Sequence, residues 1–141
     1  MIRYLLDTNI MIYAIRNRPR LLREKFNRLP DQMAISSVTW GELVYGVERS
    51  AQPDRNLADI ESMAARLEVI PFDQSAANHC GRIRADLHRV GTPIGPYDMM
   101  IAGQARARGL VLVTNNLREF RRVTGLMLEN WMARSPAGKP K

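Results

Sequence analysis

Cysteine and long apolar runs are scarce in this sequence. Its 141 residues include one cysteine, Cys80, so no intramolecular disulfide can form, and the two histidines do not combine with it into the spacing of a zinc site. No apolar stretch approaches the roughly 20 residues that span a membrane, and the N-terminus is typical of a strand and not of a signal peptide. We therefore expect an unprocessed cytoplasmic protein that does not associate with membranes.

Acidic residues are few compared with basic ones. The chain has 14 Asp plus Glu against 21 Lys plus Arg, which gives a formal net charge of +7. Most of the excess is arginine, which can bind a phosphate group through two parallel hydrogen bonds. This balance favours a nucleic-acid partner, while a simple solvated basic surface remains the alternative.

Short apolar runs alternate along the chain with longer helical patterns, as is typical of a parallel sheet covered by helices. Strands are predicted at 2–6, 33–36, 67–72 and 110–113, with a further edge strand at 126–128. Helices are predicted at 10–15, 20–29, 37–49, 53–66, 76–90 and 96–108. The predicted fold class is α/β, with a single domain at 1–132 that has a central parallel sheet of four to five strands flanked by helices. A disordered basic tail is predicted at 133–141.

Four acidic residues follow the predicted strands or begin nearby helices. Asp7 follows the first strand, Glu42 lies early in the helix after the second, Asp98 begins the helix after a Gly/Pro loop, and Glu119 lies beyond the fourth strand. Strand ends in a parallel sheet share one edge, so we expect these carboxylates to lie close together. Like charges repel unless a cation lies among them, and an all-oxygen ligand set favours Mg²⁺, or alternatively Mn²⁺, over zinc.

Each of these acids also has a purely structural interpretation, which is favoured when the acid is taken alone. Asp7 can be an N-cap, Thr39 and Glu42 fit a capping box, Asp98 complements the dipole of its helix, and Glu119 can pair with a nearby arginine. Taken together, in a basic protein, the four acids favour metal-assisted phosphate-ester chemistry.

Several motifs occur in a fixed order along 1–132: DTN at 7–9, SVTWGELVYG at 37–46, PYDMMIA at 96–102, TNNLREF at 114–120 and GLMLENW at 125–131. In these motifs the chain resembles the PIN-domain family, and within it the VapC toxins of type II toxin–antitoxin modules. The resemblance implies a central parallel sheet between helices and a Mg²⁺- or Mn²⁺-dependent endoribonuclease that leaves a 5′-phosphate. It also implies that Asp7, Glu42 and Asp98 hold the metal.

Asn116 is where the chain departs from the family pattern, because many members carry an acid at this position. Asn cannot supply that charge, so either Glu119 compensates or a second metal ion binds only together with RNA. Our hypothesis is that Glu42 ligates the metal or orients the attacking water, while Asn115 and Asn116 position ligands or phosphate. Thr8 and Asn9 would contact the metal ligands and not the metal itself. The candidate catalytic residues are Asp7, Glu42, Asp98, Asn116 and Glu119.

The resemblance also implies the partners. These are a cognate VapB-type antitoxin that blocks the site, an RNA substrate that is usually a tRNA cut in its anticodon stem-loop, and a second copy of the chain in a homodimer. DNA would be reached only through the antitoxin. We expect Arg82, Arg84 and Arg89 to contact the RNA backbone. With three Phe, two Trp and four Tyr the sequence offers no evident stacking platform, so folded RNA is favoured over an unstructured strand.

Other apolar and aromatic residues have two interpretations. Trp40 and Trp131 are assigned first to the core or to a dimer contact, and only second to base stacking. An apolar set on the first two helices suits the antitoxin, the dimer contact or the core equally well. This set is Ile10, Met11, Ile12, Leu21 and Leu22.

Two functions from other classes remain open. A non-catalytic RNA-binding adaptor would keep the fold and the charge but lose the metal ligands. A phosphate-signalling receiver domain also places acids at strand ends, but it would need an early acidic pair and a lysine after its last strand. This chain has Thr114, Asn115 and Asn116 after its strand at 110–113.

Overall fold

Strands and helices alternate along residues 1–132, which are the part of the chain that the computed structural model describes. The predicted tail at 133–141 lies outside the described residues. The elements are β1 (Tyr4–Leu6), α1 (Thr8–Asn17), α2 (Arg20–Arg28), β2 (Met33–Ser36), α3 (Ser37–Glu48), α4 (Pro53–Ala64), β3 (Glu68–Ile70), α5 (Gln74–Arg89), α6 (Pro96–Arg108), β4 (Val111–Val113), α7 (Leu117–Phe120) and β5 (Met127–Glu129).

The five strands form one sheet in the order β3–β2–β1–β4–β5, and every pair of neighbours is parallel. The predicted fold class is therefore confirmed, including the edge position of the last strand. The chain moves outward in one direction from β1 to β3 and then returns to place β4 on the other side of β1. The crevice between the carboxyl ends of β1 and β4 is thus the topological switch point, where open α/β sheets bind ligands.

The two faces of the sheet carry separate apolar cores. Leu6 points into a core formed with α1, α2, α3 and α4, whereas Leu5 points into one formed with α5 and α6. Trp131 belongs to the first core, where its ring packs edge-on against Tyr4 at 5.1 Å between centroids. The assignment of Trp131 to the core is correct, and Trp40 packs partly buried against the same core.

The apolar residues of the first two helices divide between core and surface. Ile10 and Met11 are completely buried and Leu22 is 1% exposed, so these three belong to the core. Leu21 is 36% exposed, and Ile12 is partly buried. Of the five residues considered for a partner contact, only Leu21 and Ile12 keep substantial accessible surface.

Capping residues mark several of the helix ends. Gly109 ends α6 with a φ of 66°, a left-handed conformation that suits glycine. The helix predicted at 37–49 begins at Ser37 and is capped by the residue before it, because Ser36 Oγ accepts a hydrogen bond from the Val38 N–H at 3.0 Å. Ser37 Oγ instead accepts a hydrogen bond from the N–H of Phe72, beyond β3. Within residues 1–132, no helix is both long enough and apolar enough to cross a membrane.

Candidate active site

Asp7 joins the end of β1 to the beginning of α1. Its Oδ1 accepts a hydrogen bond from the backbone N–H of Ile10 at 2.8 Å, so the cap interpretation is correct. Its Oδ2 accepts a second hydrogen bond from Thr114 Oγ1 at 2.5 Å, and Thr114 directly follows β4. Asp7 is 2% exposed. The carboxylate is therefore both a cap and a buried, fixed group at the switch point.

Glu42 is held by α1 and not by its own helix. Its Oε1 accepts a hydrogen bond from Thr8 Oγ1 at 2.6 Å, and Thr8 Oγ1 lies 3.0 Å from Thr39 Oγ1. Thr39 lies in the first turn of α3 and is completely buried. The capping box considered for Thr39 and Glu42 does not form, because Ser36 caps α3 and both side chains turn to Thr8.

Asp98 and Glu119 come from α6 and α7. Asp98 lies in the first turn of α6 and is half-buried. Glu119 Oε1 accepts a hydrogen bond from Asn116 Nδ2 at 3.1 Å, and the Asn116 N–H donates to Thr114 Oγ1 at 2.9 Å. The arginine pairing considered for Glu119 is replaced by this contact, while Arg122 donates to the carbonyl of Pro93. Asn116 thus connects Glu119 to the Thr114 hydroxyl, which in turn donates to Asp7.

The negative charges of the neighbouring acids contribute to raised pKa values at Asp7 and Asp98. The pKa of Asp7 is raised from 3.8 to about 6, mainly by burial and further by the negative charges of Asp98 and Glu42, while its two hydrogen bonds oppose the shift. The pKa of Asp98 is raised by burial first, then by the charges of Glu119 and Glu42. The acids are therefore electrostatic neighbours, as the parallel topology predicts.

No basic side chain of the described residues forms an ion pair with these acids. The two ion pairs within 1–132 join Arg20 to Glu24 and Arg89 to Asp86, both on exposed helix surfaces. Across the same residues, no three Asp, Glu, His or Cys side chains converge closely enough to form a metal site as they stand. The carboxylates thus share an uncompensated negative charge without a finished coordination shell.

A cavity of about 370 Å³ opens beside Glu42, between α1, α3 and α4. Its apolar lining includes Ile12 and Leu43. Three arginines share the wall with Glu42, and sequence reasoning did not select them as a group: Arg16, Arg18 and Arg55.

The arginines that sequence reasoning did select are on α5. Arg82, Arg84 and Arg89 are all exposed. Arg89 donates to Asp86 at 2.9 Å near the end of α5, which a short loop joins to the beginning of α6 and so to Asp98. Both groups of arginines are therefore available to a bound anion.

Two threonines of the site were not predicted to have a functional role. Thr114 was interpreted only as the end of its strand, although Leu6 pairs with Val113, which makes Thr114 the direct neighbour of Asp7. Asp7 and Thr114 each directly follow one of two paired strands, and this shared position of two polar residues is the signal that could have identified Thr114. Thr39 was considered only for the capping box, and its contact with Thr8 across 31 residues leaves no local signal.

Comparison with known proteins places this arrangement in a family. The sequence model of the PIN domain matches residues 4–126. The chain belongs to the PIN-domain family. The receiver-domain alternative is thereby excluded.

Relatives of this PIN domain are similar over nearly its whole length. It is 55% identical over 131 residues to the tRNA(fMet)-specific endonuclease VapC of Salmonella typhimurium, which covers 93% of this chain and 99% of the relative. It is 47% identical over 132 residues to the ribonuclease VapC2 of Haemophilus influenzae, covering 94% of this chain and all of the relative. The predicted resemblance to the VapC group is confirmed.

The fold of this PIN domain also matches a solved structure. The crystal structure of DNA-bound VapBC from Salmonella typhimurium has a chain that superposes with a TM-score of 0.91 at 55% identity. The match covers 93% of this chain and 99% of the other.

Proposed function

We propose that the chain is the toxin of a type II toxin–antitoxin module and cleaves structured RNA as a divalent-metal-dependent endoribonuclease. The observation that carries the proposal is the buried carboxylate of Asp7 at the switch point, beside three further acids and without a basic partner in the described residues. The relative from Salmonella typhimurium is named a tRNA(fMet)-specific endonuclease, so this tRNA is the first substrate to test.

The residues that would hold the metal are Asp7, Asp98 and Glu42. Their carboxylate oxygens are the donors that Mg²⁺ and Mn²⁺ prefer, and their mutual repulsion gives a cation an electrostatic reason to bind. Asp7 is fixed by hydrogen bonds to both oxygens, whereas Asp98 and Glu42 are only half-buried. We propose that Asp98 moves toward Asp7 and Glu42 to complete the coordination, and that Glu119 supplies the charge that Asn116 lacks.

The reaction would be hydrolysis of a phosphodiester, in which a bond forms between the water oxygen and phosphorus while the bond from phosphorus to O3′ breaks. The products are a 5′-phosphate and a 3′-hydroxyl. A bound divalent ion supplies the Lewis acidity that lowers the pKa of water and neutralises charge on the phosphoryl oxygens. Glu42 uses Oε1 to accept from Thr8, which leaves Oε2 to ligate the ion or orient the attacking water.

Charge and apolar surface next to the site would serve the partners. Arg16, Arg18 and Arg55 share a cavity with Glu42 and would contact RNA phosphates, together with exposed arginines of α5. A VapB-type antitoxin would block the site by occupying this cavity. The similar chain from Salmonella typhimurium is part of a DNA-bound VapBC complex, and we propose the same indirect route to DNA here. A homodimer and a cytoplasmic location complete the proposal.

Cleavage of total tRNA by the purified protein tests this function. Reactions contain Mg²⁺, Mn²⁺ or EDTA, and Asp7→Asn is compared with the matched variant Asp31→Asn. Asp31 is exposed and lies two residues before β2, at the opposite edge of the sheet from the acids. Its left-handed φ of 64° is a conformation that Asn also accepts.

We expect discrete fragments with the wild type and Asp31→Asn, and none with EDTA or Asp7→Asn. Mapping the 5′-phosphate ends would then identify the tRNA and the bond. Undiminished RNA binding in EDTA, with no cleavage in either metal, would refute the nuclease and support the RNA-binding adaptor.

A further inference from the structure

We propose that Thr39 is a positioning residue for Glu42 and acts through the hydroxyl of Thr8. The inference rests on the proposed function, because it assigns a role in preparing one of the carboxylates that would hold the metal. Thr39 itself is completely buried and its hydroxyl contacts that of Thr8, so it does not contact substrate.

The hydrogen of the Thr8 hydroxyl sets the direction of both hydrogen bonds. The Thr8 hydroxyl has a single hydrogen, and its oxygen lies 2.6 Å from Glu42 Oε1 and 3.0 Å from Thr39 Oγ1. An ionised carboxylate can only accept, so the hydrogen of Thr8 points to Glu42. The contact between the two threonines must then use the hydrogen of Thr39. The order of donation is from Thr39 to Thr8, and from Thr8 to Glu42.

This order removes a freedom that an isolated hydroxyl would have. A hydroxyl rotor can turn its hydrogen toward any nearby acceptor, but a donor that already occupies the oxygen of Thr8 repels its hydrogen from that side. The hydrogen therefore stays aligned with Glu42, and donation to the oxygen strengthens the next bond in the chain. Thr39 thereby fixes both the direction and the strength of the hydrogen bond that holds Glu42.

The second fixed carboxylate of the site is held in the same way. The Asn116 N–H donates to Thr114 Oγ1 at 2.9 Å, and the Thr114 hydroxyl donates to Asp7 Oδ2 at 2.5 Å. In both cases a threonine hydroxyl holds a carboxylate while a second donor occupies the threonine oxygen. For Asp7 that second donor is a backbone amide, whereas for Glu42 it is the side chain of Thr39, which can be replaced.

Three variants separate positioning from packing. Thr39→Val keeps the branched shape and removes the hydroxyl, whereas Thr39→Ser keeps the hydroxyl and removes a buried methyl group. Thr8→Val removes the direct donor, and Thr124→Val, at an exposed position, controls for the substitution itself. For each full-length protein we would measure Mn²⁺ binding by calorimetry, the melting temperature, and kcat and KM for RNA. Crystal structures of the metal-free Thr39 variants would show the conformation of Glu42.

The two Thr39 variants should change different properties of the protein. Thr39→Val weakens Mn²⁺ binding by about 3- to 10-fold and lowers kcat with KM unchanged, since one net hydrogen bond is lost. Thr8→Val weakens binding by roughly 10- to 100-fold. Thr39→Ser binds Mn²⁺ like the wild type although it melts at a lower temperature. Thr39→Val added to Thr8→Val has no further effect, because Thr39 acts only through Thr8.

Two results would overturn the inference. The first is a Thr39→Val protein that keeps a single Glu42 conformer within hydrogen-bonding distance of Thr8. The second is a loss of Mn²⁺ binding that follows the melting temperature in both Thr39 variants, which would mean packing alone. Failure of the proposed function looks different: the wild type would bind no Mn²⁺ and cut no RNA, while Glu42 would still lose its position in Thr39→Val crystals.

Discussion

Replacing Asp7 by Asn should stabilise the metal-free protein while abolishing its activity. The carboxylate is 2% exposed and has the charges of Asp98 and Glu42 as neighbours, so ionising it in the folded state is unfavourable. Asn has nearly the same shape and no charge. Its Oδ1 can still accept from the N–H of Ile10, so the cap of α1 is retained.

The magnitude follows from the pKa of Asp7, which rises from 3.8 to about 6 on folding. A shift of about two units at about 1.4 kcal/mol per unit means that ionised Asp7 destabilises the fold by about 3 kcal/mol. The weaker contact of a neutral amide with Thr114 offsets about 1 kcal/mol of this. The net gain for Asp7→Asn is about 2 kcal/mol at neutral pH, or roughly 6 °C in melting temperature for a chain of this size.

The sign of the pH dependence is set by which state binds the proton more tightly. The folded state does, because the pKa of Asp7 is higher there than in the unfolded chain. The contribution of Asp7 to stability is therefore fully present below pH 3.8 and is lost as the pH rises through about 6. The difference between Asp7→Asn and the wild type should accordingly be smallest near pH 4 and reach its full size above pH 7.

Urea unfolding in EDTA across this pH range measures the difference, with Asp31→Asn as the control at an exposed position. Added Mn²⁺ should then stabilise the wild type and the control but not Asp7→Asn, because only a folded site with its charge binds the ion. An Asp7→Asn protein that is no more stable than the wild type at pH 7.5, or a gain that does not shrink toward pH 4, would refute the reasoning.

Three further predictions concern the surroundings of the site. Asn116→Asp should tighten Mn²⁺ binding but lower the stability of the metal-free protein by about 1 kcal/mol, because it replaces a 3.1 Å hydrogen bond to Glu119 with repulsion. Calorimetry measures the binding and thermal melting the stability, and a metal-free variant more stable than the wild type would contradict this prediction. Tyr97 is 54% exposed and precedes Asp98, and we expect its ring to stack on an unpaired base. Tyr97→Ala should therefore raise the KM for RNA about tenfold, whereas Tyr97→Phe should not. A KM of Tyr97→Ala equal to that of the wild type would exclude stacking. Gly103→Ala should lower the free energy of unfolding by about 1–3 kcal/mol, because a Cβ at this position would lie 2.7 Å from a backbone nitrogen of α5. Urea unfolding measures the effect, and an unchanged urea midpoint would mean that α5 and α6 separate easily.

Most of the fold could be predicted because its signals are local. Buried parallel strands are short apolar runs, and β2 was predicted without error at both ends. The bounds of α6 were also correct, since Pro96 at its first turn and Gly109 after its last mark both ends. The beginning of α5 was predicted two residues late, because the Asp73 cap was not recognised.

The site was predictable only in part, since topology gathers the acids but does not show what holds them. The proximity of the four carboxylates follows from the sheet topology. β4 begins at the edge of the sheet opposite the site, so α6, which leads into β4, must begin at the edge where the site lies. The capping box had the right local spacing, yet the contact of Thr8 with Glu42 joins residues 34 apart. Such a contact depends on how α1 packs against α3, which no local pattern contains.

The choice of neutral donors in the site has a physical consequence. Arginine is abundant in this basic chain, and one guanidinium at the switch point would lower the pKa of Asp7 and remove the repulsion. It would also compete with a divalent cation for the same oxygens. Threonine hydroxyls and backbone N–H groups orient Asp7 and Glu42 without cancelling their charge, so the attraction for a cation is retained. The fold is thereby less stable without an ion than its packing would allow, which is why the most informative substitution at this site is one that makes the protein more stable.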